Sequence, residues 1–126
     1  MNRVLVIDDN ELAGMLVASY LVRYGWEVQA LSKPFGVLNK IKEYRPEVIL
    51  LDLRMPGLSG SKLASLIRDH KEMQGLKIIS FSSEEAEVQD GLVKTGLVDG
   101  YFVKNRNLEG LAETIEDVTR KDPPAA

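Results

Sequence analysis

Hydrophobic residues follow two alternating patterns along this chain. Short apolar runs, many of them β-branched, alternate with longer stretches in which apolar residues recur every three or four positions. The short runs are typical of buried strands, and the longer spacing is typical of amphipathic helices. The alternation predicts βαβ units, in which parallel strands form one sheet with helices packed against it.

The apolar runs place five strands in the chain, at Arg3–Ile7, Trp26–Leu31, Glu47–Leu51, Leu76–Phe81 and Gly100–Val103. The first and third runs are almost wholly apolar, as is typical of strands buried on both faces, and we expect the third to be central. The second run alternates more between apolar and polar residues, which favours an edge position.

Five helices are predicted between and after these strands. The first spans Glu11–Tyr24, with Asn10 as its N-cap and Gly25 as its stop. Ser32 is expected to cap the second, which begins near Lys33, and the fourth spans Glu84–Thr95. Apolar residues at helical spacing mark four of them: Leu12, Met15, Leu16 and Val22 in the first; Val37, Leu38 and Ile41 in the second; Leu63, Leu66 and Ile67 in the third; and Leu108, Leu111, Ala112, Ile115 and Val118 in the fifth.

Length and composition narrow the class of protein. A chain of 126 residues with 44% hydrophobic residues is the size of one domain. We assign residues 1–120 to that domain and residues 121–126 (KDPPAA) to a disordered tail or truncated linker. The absence of cysteine excludes disulfides and thiolate metal sites.

Charge and hydropathy bear on location and partners. The 16 basic and 19 acidic side chains give a net charge of −3 without a basic stripe, so direct nucleic-acid binding is not expected. No apolar run approaches the ~18 residues that a membrane span needs. The start MNRVLVIDDN does not resemble a signal peptide, so a cytoplasmic location is expected.

Polar side chains follow four of the predicted strands directly. Asp8 and Asp9 follow the first, Asp52 the third, Ser82 the fourth and Lys104 the fifth. Ligands bind outside the carboxyl ends of strands in open parallel sheets, so these side chains are expected to share one crevice. Three carboxylates there would repel one another unless a hard cation such as Mg²⁺ joined them. A lysine and a hydroxyl nearby would complement a phosphoryl group, which makes Asp52 the candidate nucleophile.

These residues also carry a family resemblance. VLVIDDNE, VILLDLRMPGLSG, Ser82-Ser83 and GYFVK together resemble the receiver domain of two-component response regulators, from Arg3 to Arg120. The intervals are 43 residues from Asp9 to Asp52, 30 from Asp52 to Ser82 and 22 from Ser82 to Lys104, and they match the family's usual spacing. The resemblance implies a flavodoxin-like, doubly wound sheet of five parallel strands in the order 2-1-3-4-5, with five helices.

The resemblance implies a role for each site residue. Asp52 would accept a phosphoryl group, and Asp8, Asp9, Asp52 and the backbone carbonyl of Arg54 would hold Mg²⁺. Lys104 would pair with the phosphoryl oxygens, while Ser82 and Tyr101 would change position after phosphorylation. Ser83, Arg54 and Glu84 occupy positions that modulate access to the phosphoryl group or its lifetime, and an Arg54–Glu84 salt bridge would shield it from water.

The implied function is a conformational signalling switch. A sensor histidine kinase or histidine phosphotransfer protein would phosphorylate Asp52, and a downstream protein or separate output domain would read the result. Such a domain is not an enzyme in the ordinary sense, although it takes part in its own phosphorylation and dephosphorylation. No membrane partner is expected. The surface formed by the fourth helix, fifth strand and fifth helix would meet partners and also allows a homodimer.

Two departures from the family pattern leave an alternative open. Asn105 stands where the family commonly has proline, and we expect a trans peptide there, because a cis bond without proline costs ~3–4 kcal/mol. Ser83 replaces a smaller residue. The alternative is a receiver-like interaction module that is rarely or never phosphorylated. A magnesium-dependent phosphatase is disfavoured because it would prefer an acid two residues after Asp52, where this chain has Arg54. A flavin carrier is disfavoured because DDNE would repel phosphate.

Overall fold

A computed structural model describes residues 2–105 and 107–120. Strands and helices alternate along these residues, as the sequence predicts. The strands are β1 (Arg3–Ile7), β2 (Glu27–Leu31), β3 (Val48–Leu51), β4 (Lys77–Ser82) and β5 (Gly100–Val103). The helices are α1 (Glu11–Leu21), α2 (Val37–Tyr44), α3 (Gly60–Arg68), α4 (Ala86–Lys94) and α5 (Leu111–Thr119). Short 3-10 helices lie at Val22–Tyr24 and Lys71–Met73.

The sheet is parallel throughout, in the order β2-β1-β3-β4-β5. This confirms the predicted flavodoxin-like topology, the central position of β3 and the edge position of β2. Ile7 of β1 pairs with Leu31 on one side and with Leu51 on the other. The register therefore brings the residues that follow β1 and β3 to the same edge of the sheet.

Side chains that alternate along each strand build one hydrophobic core on each face of the sheet. Val4 and Val6 face α1 and α5, whereas Leu5 and Ile7 face α2 and α3. All four are fully buried. The two layers of helices therefore fix the sheet from both sides and leave its carboxyl edge open for a site.

Helix α1 differs from its prediction in the face that it buries. Asn10 caps the helix as expected, accepting a hydrogen bond from Leu12 N–H at 3.0 Å, and Gly25 ends the segment with φ 86°. However, the apolar residues whose spacing predicted the helix are between 52% and 67% exposed: Leu12, Met15, Leu16 and Val22. The buried residues are Gly14, Val17 and Leu21. Gly14 allows α1 to pack closely on β2 through this face, because a Cβ at position 14 would lie 2.8 Å from the Cβ of Ala30.

Helix α2 begins later than predicted, at Val37, and Ser32 is not its cap. Gly36 takes the N-cap position with φ 82°, a left-handed conformation that glycine adopts without strain. Helix α5 also begins late, since Leu108 and Gly110 both have positive φ and precede its first turn. In α3, Leu63 and Ile67 are buried as expected, but Leu66 is exposed.

Two further expectations concern the chain as a whole. In the ranges 2–105 and 107–120, no helix combines the length and apolar character that crossing a membrane requires. The predicted tail at residues 121–126 lies outside the described residues.

Candidate functional site

The carboxyl ends of β1 and β3 bring the predicted acidic residues together. The N–H of Asp52 donates to the carbonyl of Ile7 at 2.9 Å, and the N–H of Asp8 donates to that of Leu31 at 3.0 Å. The ladder of hydrogen bonds thus extends one residue beyond the strands and fixes both aspartates. Ligand oxygens of Asp8, Asp9 and Asp52 all lie within 4.8 Å of one another.

Lys104, which follows β5, reaches into this acidic group. Its Nζ lies 2.5 Å from Oδ2 of Asp8 and 3.7 Å from Oδ2 of Asp52. The ammonium also lies 5.1 Å from the centre of the Phe81 ring, which is a favourable cation–π contact. The aspartates and the lysine predicted from three separate strand ends therefore form one cluster.

The donor set of this cluster fits a hard divalent cation. Asp8 and Asp52 are 2% and 5% exposed, whereas Asp9 is open to solvent. Oδ2 of Asp8 accepts no hydrogen bond from the described residues, and its contact there is the Lys104 ammonium. Carboxylate oxygens with an open side suit Mg²⁺, which keeps several waters and takes one or two carboxylates. Asp8, Asp9 and Asp52 are thus able to hold such an ion.

The environment of Asp52 disfavours its ionised form. Burial raises the pKa of its carboxyl from 3.8 to about 6, and the charges of Asp8 and Asp9 act in the same direction. Lys104 and the hydrogen bond from Arg54 N–H, at 3.3 Å, partly oppose the increase in pKa. A cation at the cluster would favour the carboxylate form that a nucleophile requires.

Gly60 sets how closely the loop after β3 can fold back on Asp52. A Cβ at Gly60 would lie 2.1 Å from the carbonyl oxygen of Asp52 and 2.8 Å from Cα of Leu53. The N–H of Gly60 donates to the carbonyl of Leu53 at 3.1 Å. A side chain at position 60 is therefore incompatible with this turn, which holds Asp52 at the start of the loop.

Ser82 ends β4 and is fully buried. Its carbonyl accepts a hydrogen bond from Lys104 N–H at 2.9 Å, and its Oγ accepts one from Glu84 N–H at 3.2 Å. The hydroxyl thus stabilises the turn that precedes α4, as serine does in an ST-turn, while the N-cap position of α4 is Glu85. This contact is compatible with the predicted switching role, because the hydroxyl hydrogen is still free to donate elsewhere.

Arg54 and Glu84 form an ion pair, as predicted. Nε and Nη2 of Arg54 both contact Oε1 of Glu84. The Arg54 side chain is 71% exposed and the Glu84 side chain 21% exposed. This pair joins the loop after β3 to the loop after β4, across the carboxyl edge of the sheet. The implied role of the Arg54 carbonyl as a metal ligand stays a prediction.

Tyr101 occupies the edge strand β5, opposite Ser80 in the register with β4. The side chain is half-buried and lines a cleft of about 250 Å³ between α4 and α5, together with Val93 and Thr114. The geometry is consistent with a side chain that has room to change position, and its role as a switch residue stays a prediction.

The two residues that depart from the family pattern, Asn105 and Ser83, both lie in loops beside the site. Among the described residues no peptide bond is cis, so the Lys104–Asn105 peptide is trans, as predicted. The Asn105 side chain donates to the carbonyl of Glu109 at 3.3 Å. Ser83 is exposed between Ser82 and Glu84, and its effect on access to the site stays a prediction.

Sequence reasoning missed one buried polar group next to the site. Gln89 of α4 is fully buried, and its amide bonds with Ser80, Ser82 and Glu84. A signal was available, because Gln89 shares helical spacing with Leu92 and Val93, both of which pack against the core. A polar residue on the apolar face of a helix needs buried hydrogen-bond partners.

Another cleft lies at the opposite edge of the sheet. It has a volume of about 590 Å³, and its lining includes Ile41, Met73 and Leu76. Residues 45–47 and 75–77 also line it, which places it where β3 and β4 begin. None of the predicted site residues lines it, so the carboxylate cluster is a separate feature.

Comparison with known proteins agrees with the fold. The family model described as the response regulator receiver domain matches residues 4–116. Two curated relatives illustrate the range of whole proteins that contain such a sequence. An uncharacterized 76.5 kDa protein in the phbC 3' region of Thiocystis violacea is 33% identical over 116 residues, which are 90% of this chain but 16% of that protein. The polar-differentiation response regulator DivK of Brucella anthropi is 24% identical, and the match covers 90% of this chain and 92% of DivK.

Solved structures give the same result. The response regulator TrrA of Thermotoga maritima, in complex with Mg²⁺-BeF, has a TM-score of 0.80 and 29% identity, and the match covers 94% of this chain and 99% of TrrA. The chemotaxis protein CheY4 of Vibrio cholerae has a TM-score of 0.84 and 26% identity, with coverage of 94% and 98%. With the family model, the strand order and the carboxylate–lysine cluster in agreement, this chain belongs to the receiver domain family of two-component response regulators.

Proposed function

We propose that this receiver domain is a phosphorylation-controlled switch in which Asp52 accepts a phosphoryl group in the presence of Mg²⁺. The observation that carries the proposal is the cluster of three carboxylates within 4.8 Å, with the Lys104 ammonium 3.7 Å from Asp52. A phosphohistidine on a sensor histidine kinase or phosphotransfer protein is the donor. A cytoplasmic location belongs to the same proposal, because the donor kinase uses ATP.

The chemistry is a phosphoryl transfer between two nucleophiles. An oxygen of Asp52 attacks phosphorus, an O–P bond forms, and the N–P bond of the phosphohistidine breaks with its electron pair returning to the imidazole. Mg²⁺ held by Asp8, Asp9 and Asp52 would neutralise the negative charge that gathers on the phosphoryl oxygens. The Arg54 carbonyl completes the proposed ligand set.

Lys104 and Ser82 serve the transferred group. The Lys104 ammonium pairs with a phosphoryl oxygen, and the Ser82 hydroxyl donates to another. A phosphoryl group adds about −1.5 to −2 charges and new acceptor oxygens at Asp52, which gives Lys104 and Ser82 partners that the carboxylate alone lacks.

The output of the switch follows from where these two residues lie. Ser82 begins the turn into α4 and Lys104 directly follows β5, so new bonds from both residues to the phosphoryl group would shift the conformational populations of the surface made by α4, β5 and α5. Tyr101 lies on this surface and follows the movement. A downstream protein, an output domain or a second copy of the chain reads the altered surface.

The alternative is a receiver-like module that binds partners without phosphorylation. Asn105 and Ser83 motivate it, since both depart from the family pattern beside the site. The intact set of Asp8, Asp9, Asp52, Ser82 and Lys104 supports phosphorylation instead, because an interaction module has no need of it.

Beryllofluoride, a stable analogue of a phosphoryl group on a carboxylate, tests the proposal at equilibrium. We expect binding that requires Mg²⁺, followed by amide NMR shifts in α4 and β5, in the wild-type protein. Asp52→Asn removes the attachment point and should abolish both effects, whereas the surface variant Asp90→Asn should retain them. Binding that persists in Asp52→Asn, or no binding in the wild type, would contradict the proposed function.

A further inference from the structure

Gln89 is the most completely bonded polar side chain near the site. It lies in α4 with no exposed surface, and its Oε1 accepts a hydrogen bond from Ser80 Oγ at 2.6 Å. Its Nε2 donates to the carbonyl of Ser82 at 3.1 Å and to the carbonyl of Glu84 at 2.8 Å. Both amide hydrogens and one acceptor position of the side chain are thus used in the protein interior.

The two carbonyls bound by Gln89 bracket the turn between β4 and α4. The first belongs to Ser82, whose carbonyl also accepts from Lys104 N–H at 2.9 Å. The second belongs to Glu84, whose side chain forms the ion pair with Arg54 and whose N–H donates to Ser82 Oγ. One amide therefore holds the backbone of both residues that flank the exposed Ser83.

The strength of this arrangement comes from burial. Buried hydrogen bonds stabilise the turn, and without the Gln89 amide the carbonyl of Ser82 would keep the bond from Lys104 N–H but lose the one that ties it to α4. The carbonyls of Ser82 and Glu84 both accept from an amide that is itself fully buried. The Gln89 amide thus limits where the Ser82 hydroxyl and the Glu84 carboxylate can go.

We propose that Gln89 is a positioning residue that sets the lifetime of the phosphoryl group on Asp52. Its amide fixes the turn that carries Ser82 and Glu84, and through Glu84 it holds the Arg54 guanidinium across the edge of the site. Without the amide, the turn gains freedom, the Arg54–Glu84 pair opens more often, and water reaches the phosphoryl group. This inference rests on the proposed phosphorylation of Asp52.

The test measures the half-life of the phosphorylated protein after removal of the donor. Gln89→Met keeps the volume of the side chain and removes all three hydrogen bonds, and we expect a half-life at least fivefold shorter than that of the wild type. The control is Leu92→Ala, on the next turn of the same buried face, which weakens the packing of α4 without touching the amide network. We expect its half-life to stay within twofold of the wild type.

A second readout separates positioning from general loosening. Glu84→Gln shortens the half-life in the wild-type background if the ion pair shields the site. In Gln89→Met the pair is already weakened, so adding Glu84→Gln should have a clearly smaller effect than in the wild-type background. If Gln89→Met does not fold, Gln89→Asn replaces it, since its amide is one methylene too short to reach both carbonyls.

The outcomes are distinct. A Gln89→Met half-life within twofold of the wild type overturns the inference, as does an equal shortening in Leu92→Ala or an undiminished Glu84→Gln effect in Gln89→Met. A wild-type protein that takes up no phosphoryl group refutes the proposed function instead, because that result precedes any comparison of variants.

Discussion

Lys104 is bonded more closely to Asp8 than to Asp52: its Nζ lies 2.5 Å from the Asp8 carboxylate and 3.7 Å from that of Asp52. Lys104 thus forms an ion pair with Asp8, which is one of the proposed Mg²⁺ ligands. A cation bound at this cluster would compete with the ammonium for Asp8 and would free Lys104 to turn toward Asp52 and its proposed phosphoryl group.

This competition predicts the effect of Lys104→Met on metal binding. Without the ammonium, the buried Asp8 and Asp52 have no compensating charge, so Mg²⁺ should bind about fivefold more tightly. Phosphorylation should nevertheless become slower, because the phosphoryl oxygens lose a partner. Calorimetric titration measures the affinity, and Lys94→Met, which removes the same charge from the surface of α4, is the control. An unchanged or weaker Mg²⁺ affinity in Lys104→Met would refute the competition.

The raised pKa of Asp52 predicts how stability depends on pH in the absence of metal. The pKa is about 6 in the folded protein and 3.8 ordinarily, so the folded state binds the proton more tightly than the unfolded chain. Below pH 3.8 both states are protonated and the carboxyl imposes no cost. The cost develops as pH rises through the interval and is complete above pH 6, where it reaches roughly 1–3 kcal/mol.

Asp52→Asn removes this cost. The variant should be more stable than the wild type at pH 7, and the difference should disappear near pH 3.8. Urea denaturation in EDTA at both pH values measures the free energy of unfolding. A variant that is no more stable at pH 7 would show that Lys104 compensates Asp52 fully.

The Arg54–Glu84 ion pair predicts a kinetic effect with little effect on stability. The Arg54 side chain is 71% exposed, and solvent screens a pair with one such member, so Arg54→Ala should lower the free energy of unfolding by about 1 kcal/mol or less. The phosphoryl half-life should fall about fivefold or more, equivalent to a barrier lowered by roughly 1 kcal/mol. Arg120→Ala, which breaks an exposed pair with Asp117 in α5, should leave the half-life unchanged. Equal half-lives in Arg54→Ala and the wild type would mean that the pair does not shield the site.

Two glycines predict opposite responses to the same substitution. Gly60→Ala places a Cβ against the Asp52 carbonyl and should destabilise the protein by about 1–3 kcal/mol or more. Gly91 lies inside α4 with open space around it, so Gly91→Ala should stabilise by about 0.5–1 kcal/mol. Chemical denaturation of the two variants side by side measures both changes, and a neutral Gly60→Ala would show that the turn after Asp52 adapts.

The carboxyl ends of the strands could be predicted from the sequence because each is marked by a local pattern, an apolar run followed by a polar residue. Asp8 and Asp52 directly follow wholly apolar runs, and parallel strands must end at one edge of the sheet, so their convergence requires no knowledge of the packing. The first residue of α2 could not be found in this way. Ser32 is a good capping residue, but the left-handed Gly36 fixes where the helix begins.

Contacts between distant elements could not be predicted from the sequence because they depend on how the elements pack in three dimensions. The closer pairing of Lys104 with Asp8 depends on the side-chain conformation at the end of β5, and the exposure of Leu12 and Met15 depends on the close approach of Gly14 to Ala30. The Gln89 network links α4 to the turn before it through buried backbone carbonyls. The helical spacing predicts that Gln89 faces the core, but the spacing does not predict which carbonyls the Gln89 side chain bonds to.

The intact mass of the protein after incubation with Mg²⁺ and acetyl phosphate shows whether Asp52 accepts a phosphoryl group. We expect a gain equal to one phosphoryl group in the wild type, none when EDTA replaces Mg²⁺, and none in Asp52→Asn. No gain in the wild type, or the same gain in Asp52→Asn, would refute phosphorylation of Asp52.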